Sequence, residues 1–267
     1  GDRHVAPEKL SVMGCRTRVV DNLFGERSAI GRGNITNISI NLPRIALEID
    51  KDYKDLSIDA KMTMFYKRWD KVALITKDIL LDRYYKICNR SYEDFPTNST
   101  YRLWCEDFKG KETLEEVFKH GTLAIGFIGL SEAVEVITGK KYYSDADNYV
   151  ITLGFIKHMR SYCDFLKNEY KLNFSLLATS GELISGRFID FDKKLYKPDV
   201  DCFSKGYYTN SFHIDVDSGI PGYKKIQLEG LFHELCNGGS ITYIELGEAP
   251  LGNVEGLKEY VNIAVKA

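Results

Sequence analysis

The order of apolar and polar residues along the chain predicts alternating strands and helices. Residues 35–42 form a β-branched run that stops at Pro43, which cannot donate a ladder hydrogen bond, and they predict a strand. The segment Ile58–Cys88 contains neither Gly nor Pro and repeats apolar residues at helical spacing, which predicts one long amphipathic helix. Two nearly all-apolar runs, Thr122–Ile128 and Asn173–Ala178, predict strands covered on both faces.

Shorter patterns predict the rest of the layout. Further predicted elements are helices at 114–120, 131–138, 145–170, 229–235 and from residue 254, strands at 207–214 and 240–246, and a loop at 90–110. Five strands separated by helices predict parallel βα units in one α/β layer system. An open sheet of five strands has two unpaired edges, so we expect residues 1–267 to be a single unit that completes a larger barrel or sheet.

Composition and charge narrow the functional classes. The chain has 36 basic and 38 acidic residues, and no Lys/Arg block exceeds two, which leaves no electrostatic footprint for nucleic acid or an anionic membrane. The longest stretches without charge, such as 121–131, are about half of a membrane-spanning helix. Six widely separated cysteines fit neither a disulfide scaffold nor a zinc ribbon, and no secretory signal is visible. We expect a cytoplasmic protein with free thiols and no metal site.

Two motif matches fail on their spacing. His233-Glu-Leu-Cys-Asn237 begins like a zincin helix, but Asn237 stands where the second metal-binding histidine is required, which excludes a metalloprotease. Gly31-Arg-Gly-Asn34 begins like a dinucleotide fingerprint, yet it precedes a strand instead of following one. The second motif therefore does not predict a Rossmann loop.

Three other motifs each have a chemical and a structural interpretation. Cys15, beside a glycine and before a loop of small polar residues, could project its sulfur into a cavity or could be a small residue without chemistry. Thr179-Ser-Gly-Glu182 follows a buried strand, where hydroxyls and amides suit phosphate, but the same pattern is typical of an ordinary helix N-cap. Cys236-Asn-Gly-Gly239 is either a ligand-approach loop or a Gly-rich turn.

In this order, the motifs and their neighbours resemble the large subunit of the anaerobic (class III) ribonucleoside-triphosphate reductases, a glycyl-radical family. The matching segments span almost the whole chain and are Met-Gly-Cys-Arg-Thr (13–17), Gly-Arg-Gly-Asn (31–34), Asn-Leu-Pro-Arg-Ile-Ala-Leu-Glu (41–48), Gly-Phe-Ile-Gly-Leu-Ser-Glu (126–132), Phe-Ser-Leu-Leu-Ala-Thr (174–179), Lys-Gly-Tyr-Tyr-Thr-Asn-Ser-Phe-His (205–213) and Cys-Asn-Gly-Gly (236–239).

The resemblance implies a fold and a reaction. The family's ten-stranded α/β barrel joins two five-stranded parallel halves, and this chain would be the second half, with a finger loop at about 11–34. The radical cysteine maps onto Cys15, whose thiyl radical would take the 3′-hydrogen of a ribonucleoside triphosphate so that the 2′-hydroxyl leaves as water.

The resemblance also implies the roles of further residues. Asn34 would contact the ribose hydroxyls, since an amide offers both donor and acceptor. The phosphate would be held by residues of the strand-end motif, which are Thr179, Ser180 and Gly181. Other substrate-binding candidates are Asn210, His213 and Asn237, with His213 alternatively a structural histidine. The chain reads Ala-Thr-Ser-Gly-Glu where the family often has Thr-Pro before the Glu, so the phosphate contacts stay open.

Several family features are missing from these 267 residues. They are the segment bearing the glycyl radical, the paired zinc-binding cysteines, and the half with the second active-site cysteine and the ATP/dNTP effector regions. We therefore interpret the chain as a piece of a reductase that is inactive alone. Activity would require the remaining parts, a radical-S-adenosylmethionine activating enzyme, and formate or a small redox protein as reductant, in a homodimer.

Two alternatives stay open. A glycyl-radical enzyme of the pyruvate formate-lyase type uses two adjacent cysteines, whereas Cys15 is flanked by Gly14 and Arg16. A non-catalytic nucleotide-binding remnant or scaffold would keep the half-barrel without turnover, and no residue of the chain excludes it.

Overall fold

The protein was analysed as a computed structural model, which describes residues 5–14, 16–103, 113–247 and 249–266. Two short strands, β1 (Val12–Met13) and β2 (Thr17–Arg18), pair antiparallel and form a hairpin near the start of the chain. This hairpin belongs to a separate two-stranded sheet and leads into the loop before the main sheet.

The main sheet has three parallel strands, β3 (Asn34–Asn41), β4 (Thr122–Ile128) and β5 (Asn173–Ala178), with β4 in the centre. Beyond β5, an isolated parallel bridge joins Leu177 to Gly239. No other described strand pairs with the free side of β3. Among the described residues, β3 is therefore an edge strand of this sheet.

Nine α-helices are assigned among the described residues. They are α1 (Leu42–Asp52), α2 (Ile58–Cys88), α3 (Pro96–Tyr101), α4 (Glu115–Phe118), α5 (Leu130–Thr138), α6 (Ala146–Tyr170), α7 (Glu182–Leu195), α8 (Gly222–Leu235) and α9 (Val254–Lys266). Short 3₁₀ turns lie at Pro7–Lys9, Tyr92–Asp94 and Val216–Ser218. None of the helices in the described ranges is long and apolar enough to cross a bilayer.

Local caps explain where the main helices begin. The Ser57 hydroxyl accepts a hydrogen bond from the Ala60 amide at the start of α2, and Asp145 accepts one from Asn148 at the start of α6. Helix α2 has the predicted bounds, and α6 begins one residue after the predicted start at position 145. The Pro43 signal predicts only the end of a strand, but Pro43 also lies in the first turn of α1, where its missing N–H costs nothing.

The helices cover one face of the sheet with a continuous hydrophobic core. In β4, the large side chains of Leu123, Ile125 and Phe127 belong to this core and are inaccessible to solvent. Between α2 and α6, the ring of Trp69 lies edge-on to that of Phe155, with centroids 6.0 Å apart. This face therefore contributes most of the apolar burial that stabilises the fold.

The opposite face of the sheet carries mainly small and polar side chains, apart from Ile128, which packs with Ile189 and Tyr208. Ser39 and Thr179, from β3 and from the residue after β5, meet across Gly126 of β4, with their hydroxyl oxygens 2.8 Å apart. A Cβ atom at Gly126 would lie 2.1 Å from the Thr179 hydroxyl oxygen. We call this surface the polar face, and glycine at position 126 is what lets the two hydroxyls meet.

The α/β class is as predicted, but two predicted strands are wrong. Segments 207–214 and 240–246 form no strand, so the parallel sheet has three strands where the sequence predicted about five. The loop predicted at 90–110 contains α3 in its described part.

Side-chain anchors explain why residues 207–214 do not form a strand. The hydroxyl of Tyr208 donates to Asp192, and the Phe212 carbonyl accepts from the Tyr142 hydroxyl at 2.6 Å. Ser211 has a positive φ of 52°, which is incompatible with an extended strand. Alternating apolar residues in this segment therefore reflect individual burial sites instead of a ladder.

Candidate active site

The side chain of Arg16 joins the hairpin to the end of β5. Its Nη1 lies 3.3 Å from the Ala178 carbonyl oxygen and 3.2 Å from that of Thr179. The same nitrogen lies 3.3 Å from Ser211 Oγ and 3.2 Å from His213 Nε2. Arg16 is only 3% exposed, so its charge is buried among these oxygen and nitrogen acceptors.

Residues 209–213 are held against the start of α5. The amides of Gly129 and Leu130 donate to the carbonyls of Thr209 and Ser211 at 2.9 and 3.0 Å. The buried carboxylate of Glu132 accepts both the amide and the hydroxyl of Thr209, at 3.0 and 2.7 Å. Burial raises the pKa of Glu132, while the two Thr209 donors oppose that rise.

The start of α7 lies beside this segment. No side chain caps its N-cap residue, Gly181, so neither Thr179 nor Ser180 forms the ordinary N-cap that was the alternative interpretation. The Gly181 amide donates to Asn210 Oδ1 at 3.0 Å. Thr179, Gly181, Asn210 and the Arg16 guanidinium therefore meet at the carboxyl end of β5, the usual position for ligands in parallel sheets.

His213 lies on the far side of Arg16 from the sheet. Because a guanidinium only donates, Nε2 is the ring nitrogen through which His213 accepts from Arg16, at 3.2 Å. Nδ1 is 3.6 Å from Oε2 of Glu229, a carboxylate with no solvent exposure that also accepts from the amide of Ile214. His213 is thus oriented by charged groups on both sides.

Asn237 and the two glycines after it support the hairpin. Asn237 Oδ1 accepts from the Leu176 amide at 3.1 Å, and its Nδ2 donates to Asp21 at 3.1 Å. The Gly238 carbonyl oxygen accepts a hydrogen bond from the Arg18 amide at 2.9 Å. A Cβ atom at Gly239, whose φ is 122°, would lie 2.0 Å from the Arg16 carbonyl oxygen. Only glycine allows this approach, which gives the Gly-rich turn a role in docking the hairpin.

Asn34 lies at the other end of the polar face. It opens β3, and its Oδ1 accepts from the Thr122 hydroxyl at 3.0 Å. Ser39, beside Thr179, follows it by five residues, which corresponds to about 16 Å along a strand. Asn34 is therefore not brought together with Thr179, Ser180 and Gly181.

The loop between the hairpin and β3 is held by Arg32, for which the sequence predicted no role. Its guanidinium donates to five carbonyl oxygens, those of Val19, Val20, Asp21, Ser28 and His120, at 2.7–3.3 Å. Burial lowers the pKa of Arg32 to about 10. These hydrogen bonds give the arginine of the Gly31–Asn34 motif a structural role.

A cavity of about 770 Å³ is lined by the hairpin and by helices α8 and α9. Arg16, Arg18 and Gly239 line it on one side, and His233 lines it on another. The two ring nitrogens of His233 lie 2.7 Å from the Thr242 hydroxyl and 2.8 Å from that of Ser240, and burial lowers its pKa to about 4. His233 is thus a neutral structural residue that holds Ser240 and Thr242 against α8.

Cys15, the proposed radical residue, lies outside the described residues. Four other cysteines are free and buried: Cys88, Cys163, Cys202 and Cys236. Burial raises the pKa of Cys88 to about 11 and that of Cys202 to about 12. It also raises the pKa of Cys163 and Cys236. None of these four is a candidate for chemistry through the thiolate.

Comparison with known proteins assigns the chain to a family. The profile of the anaerobic ribonucleoside-triphosphate reductases matches residues 2–267. The chain belongs to this family. Curated relatives are the anaerobic ribonucleoside-triphosphate reductases of Salmonella typhimurium, 31% identical over 243 residues, and of phage T4, 28% identical over 255 residues.

The anaerobic reductases that it matches are longer proteins. The alignment covers 89% of this chain but 32% of the Salmonella typhimurium protein, and 93% of this chain but 39% of the phage T4 protein. The chain therefore spans about a third of the length of its curated relatives.

Solved structures of the family share the fold. The anaerobic ribonucleotide reductase from Thermotoga maritima, with citrate in the active site, superposes with a TM-score of 0.64 at 16% identity, over 89% of this chain and 40% of that one. A second structure, of an anaerobic ribonucleotide reductase, gives a TM-score of 0.63 at 18% identity, over 89% of this chain and 35% of that one. The likeness confirms the predicted α/β fold class.

In this reductase-family chain, the sequence-predicted residues divide into two groups. Thr179, Ser180, Gly181, Asn210 and His213 gather near Arg16, whereas Asn34 lies at the other end of the polar face and Asn237 supports the hairpin. Arg16, Glu132 and Glu229 were missed, although the first two lie inside the motifs Met-Gly-Cys-Arg-Thr and Gly-Phe-Ile-Gly-Leu-Ser-Glu. A charged residue within an otherwise small or apolar motif was the signal that could have identified them.

Proposed function

We propose that this chain is the part of an anaerobic ribonucleoside-triphosphate reductase that carries the thiyl cysteine, Cys15, and one wall of the substrate site. The observation that carries the proposal is the buried bonding of Arg16, the residue after Cys15, to the carboxyl end of β5 and to residues 211 and 213. These are the segments that hold most of the predicted substrate-binding residues.

The proposed reaction replaces the 2′-hydroxyl of the ribose by hydrogen in a two-electron reduction. A thiyl radical on Cys15 takes the hydrogen atom from C3′ of the ribose, which forms the S–H bond and leaves a carbon radical. The adjacent 2′-hydroxyl then departs as water with the proton of the 3′-hydroxyl. Two electrons from formate, which is oxidised to CO2, or from a small redox protein complete the reduction together with two protons, of which solvent supplies those that the reductant does not. The hydrogen atom finally returns to C3′. The family's glycyl radical supplies the oxidising equivalent for Cys15 from a segment not contained in these 267 residues.

Residues at the carboxyl end of β5 are the proposed phosphate contacts. The uncapped start of α7 and the hydroxyls of Thr179 and Ser180 offer donors to an anion, and the positive end of the α7 dipole favours it. Asn210 accepts the Gly181 amide through Oδ1, which leaves its Nδ2 to donate. Asn34 remains the proposed ribose contact, with Oδ1 committed to Thr122 and Nδ2 as its donor.

The site residues differ in how well their contacts agree with substrate binding. His213 lies between Arg16 and Glu229, with Nδ1 3.6 Å from the Glu229 Oε2, which favours an orienting role. Asn237 is hydrogen-bonded through both its Oδ1 and its Nδ2, which favours a supporting role. The assembly that we propose around the chain is cytoplasmic and includes the remaining reductase segments, a radical-S-adenosylmethionine activating enzyme and a second copy of the reductase. Zinc and the ATP or dNTP effectors bind to those remaining segments.

The experiment is anaerobic reconstitution of the full reductase with its activating enzyme, followed by an assay of deoxynucleotide formation. We expect Cys15→Ala to abolish turnover, while the glycyl radical signal in the electron paramagnetic resonance (EPR) spectrum persists. Cys88→Ala is the matched control, since Cys88 is a buried residue at the end of α2 whose neighbours include Tyr84 and Glu115, and it should retain turnover.

Turnover by Cys15→Ala equal to that of the wild type would contradict the thiyl assignment. An inactive wild type that still binds ribonucleoside triphosphate would instead favour the non-catalytic remnant. Ser180→Ala and Asn210→Ala should raise KM for the triphosphate with little change in kcat, because they lose ground-state contacts with the phosphate.

A further inference from the structure

The hairpin that contains position 15 is attached to the sheet in two independent ways. Through its backbone, the Arg18 amide donates to the Gly238 carbonyl oxygen, and the Ala178 amide donates to the Gly239 carbonyl oxygen, both at 2.9 Å. Through its side chain, Arg16 reaches over this junction to the Thr179 carbonyl oxygen. The backbone contact fixes the base of the hairpin, and the guanidinium fixes the residue adjacent to Cys15.

Arg16 is in addition the place where three separate segments meet. One nitrogen, Nη1, contacts the end of β5 and two residues of the 209–213 segment, Ser211 and His213, all within 3.3 Å. Ser211 holds a positive φ of 52° with no solvent exposure. Backbone strain of this kind persists only where the surroundings enforce it and is concentrated at functional sites.

His213 fixes the direction of the guanidinium. Its Nε2 accepts from Arg16, while its Nδ1 faces Glu229, and Glu229 is itself held by the Ile214 amide at 2.8 Å and by the Thr242 hydroxyl. The series Arg16, His213, Glu229 therefore runs from the hairpin to the interior of α8 without a solvent-exposed member.

We propose that Arg16 is the positioning residue that sets the depth of the cysteine hairpin, and that His213 orients it. This inference rests on the proposed function, because it concerns the placement of Cys15 for hydrogen-atom transfer. Such a transfer requires the sulfur and the ribose C–H to be in near contact, and a displacement of about 1 Å can cost roughly a hundredfold in rate.

The test uses the full reductase with its activating enzyme and measures three quantities: kcat, KM for the triphosphate, and the glycyl radical yield by EPR. In Arg16→Lys, a single ammonium cannot reproduce the planar guanidinium contacts. We expect kcat to fall by about a hundredfold, with KM within about threefold and the radical yield unchanged. Arg68→Lys is the matched control, because Arg68 is a partly exposed surface residue 3.4 Å from Glu48, and it should leave all three quantities unchanged.

Three further variants keep the test decisive if Arg16→Lys folds poorly. His213→Gln retains a side-chain acceptor for Arg16, whereas His213→Leu removes it, so we expect a clearly larger loss of kcat in the leucine variant. In Arg16→Ala, added guanidinium ion should restore kcat at least tenfold, since Arg16 lines an accessible cavity. The same addition should not restore Cys15→Ala.

The outcomes separate this inference from the proposed function. A kcat within threefold of the wild type in Arg16→Lys, with an inactive Cys15→Ala, overturns the positioning role alone. A parallel fall of kcat and radical yield also overturns it, because a loss of assembly would then explain the effect. A fully active Cys15→Ala, or a wild type without turnover, overturns the proposed function and this inference together.

Discussion

The two faces of the sheet are formed by the same strands but differ in the size and polarity of their side chains. Toward the helices, β4 presents Leu123, Ile125 and Phe127 to a continuous core. Toward the polar face, it presents Ala124 and Gly126, and Gly126 leaves room for two hydroxyls from the flanking strands. The alternation along this buried strand is therefore one of size. A strand of uniformly apolar residues can therefore place large side chains in the core on one face and leave room for polar groups on the other.

The largest effect should come from emptying the helix-covered face. Phe127 has no solvent exposure, and Phe127→Ala should lower the free energy of unfolding by about 3–5 kcal/mol, because it removes buried area and leaves a cavity. Denaturant unfolding measures the change. Phe191, which is 55% exposed on α7, is the matched control, and Phe191→Ala should cost about 0.5 kcal/mol or less. Equal losses in the two variants would contradict the division of the faces.

A smaller effect is expected from adding one carbon to the polar face. Gly126→Ala places a Cβ atom 2.1 Å from the Thr179 hydroxyl oxygen and 2.9 Å from that of Ser39, and overpacking of this kind costs about 1–3 kcal/mol. In Gly154→Ala, the new Cβ would lie 3.5 Å from the Tyr66 hydroxyl within α6, so this control should be neutral or stabilising by up to about 1 kcal/mol.

A double variant sharpens the same point. Thr179→Ala removes the nearest clashing atom, so Gly126→Ala should cost clearly less in that background than in the wild type. Thermal or denaturant unfolding of the four proteins gives the coupling free energy. Additive losses would show that the Ser39–Thr179 contact does not depend on the missing side chain at position 126.

The smallest effect concerns the pH dependence of Glu132, which holds the 209–213 segment at the edge of the polar face. Burial raises the pKa of Glu132 above the unfolded value of 4.5. A raised pKa gives a stabilising contribution that is fully present below pH 4.5 and is lost as the pH rises through the folded pKa. The stability of the wild type relative to Glu132→Gln should therefore decrease with rising pH. A difference that does not change with pH would contradict the assigned burial.

Long periodic elements were predictable, and segments held by individual side chains were not. The helix Ile58–Cys88 has the predicted bounds because the absence of Gly and Pro and the Ser57 cap all favour it. Residues 207–214 were predicted as a strand because local apolar spacing cannot report that Glu132 and Tyr142, far away in sequence, hold Thr209 and the Phe212 carbonyl. Tertiary hydrogen bonds override the local pattern there.

The candidate site was predictable in its motifs but not in its connections. The strand-end position of Thr179 follows from the order of strand and helix, and the family resemblance supplies the grouping with Asn210 and His213. No pattern in the sequence reveals that Arg16 joins them, because its four acceptors include two main-chain carbonyls. The roles of Cys15 and Asn34 stay predictions.

The loop after the hairpin has a mechanical consequence that follows from Arg32. Its guanidinium holds carbonyls on both flanks of the exposed tip, at Val20 and Asp21 before it and at Ser28 after it, and ties both to His120. After a protease cut at the tip, between Phe24 and Gly25, the segments on both sides of the cut would therefore remain hydrogen-bonded to the same arginine side chain. We expect the cleaved chain to retain the conformation of this loop, because one arginine holds both of the new ends.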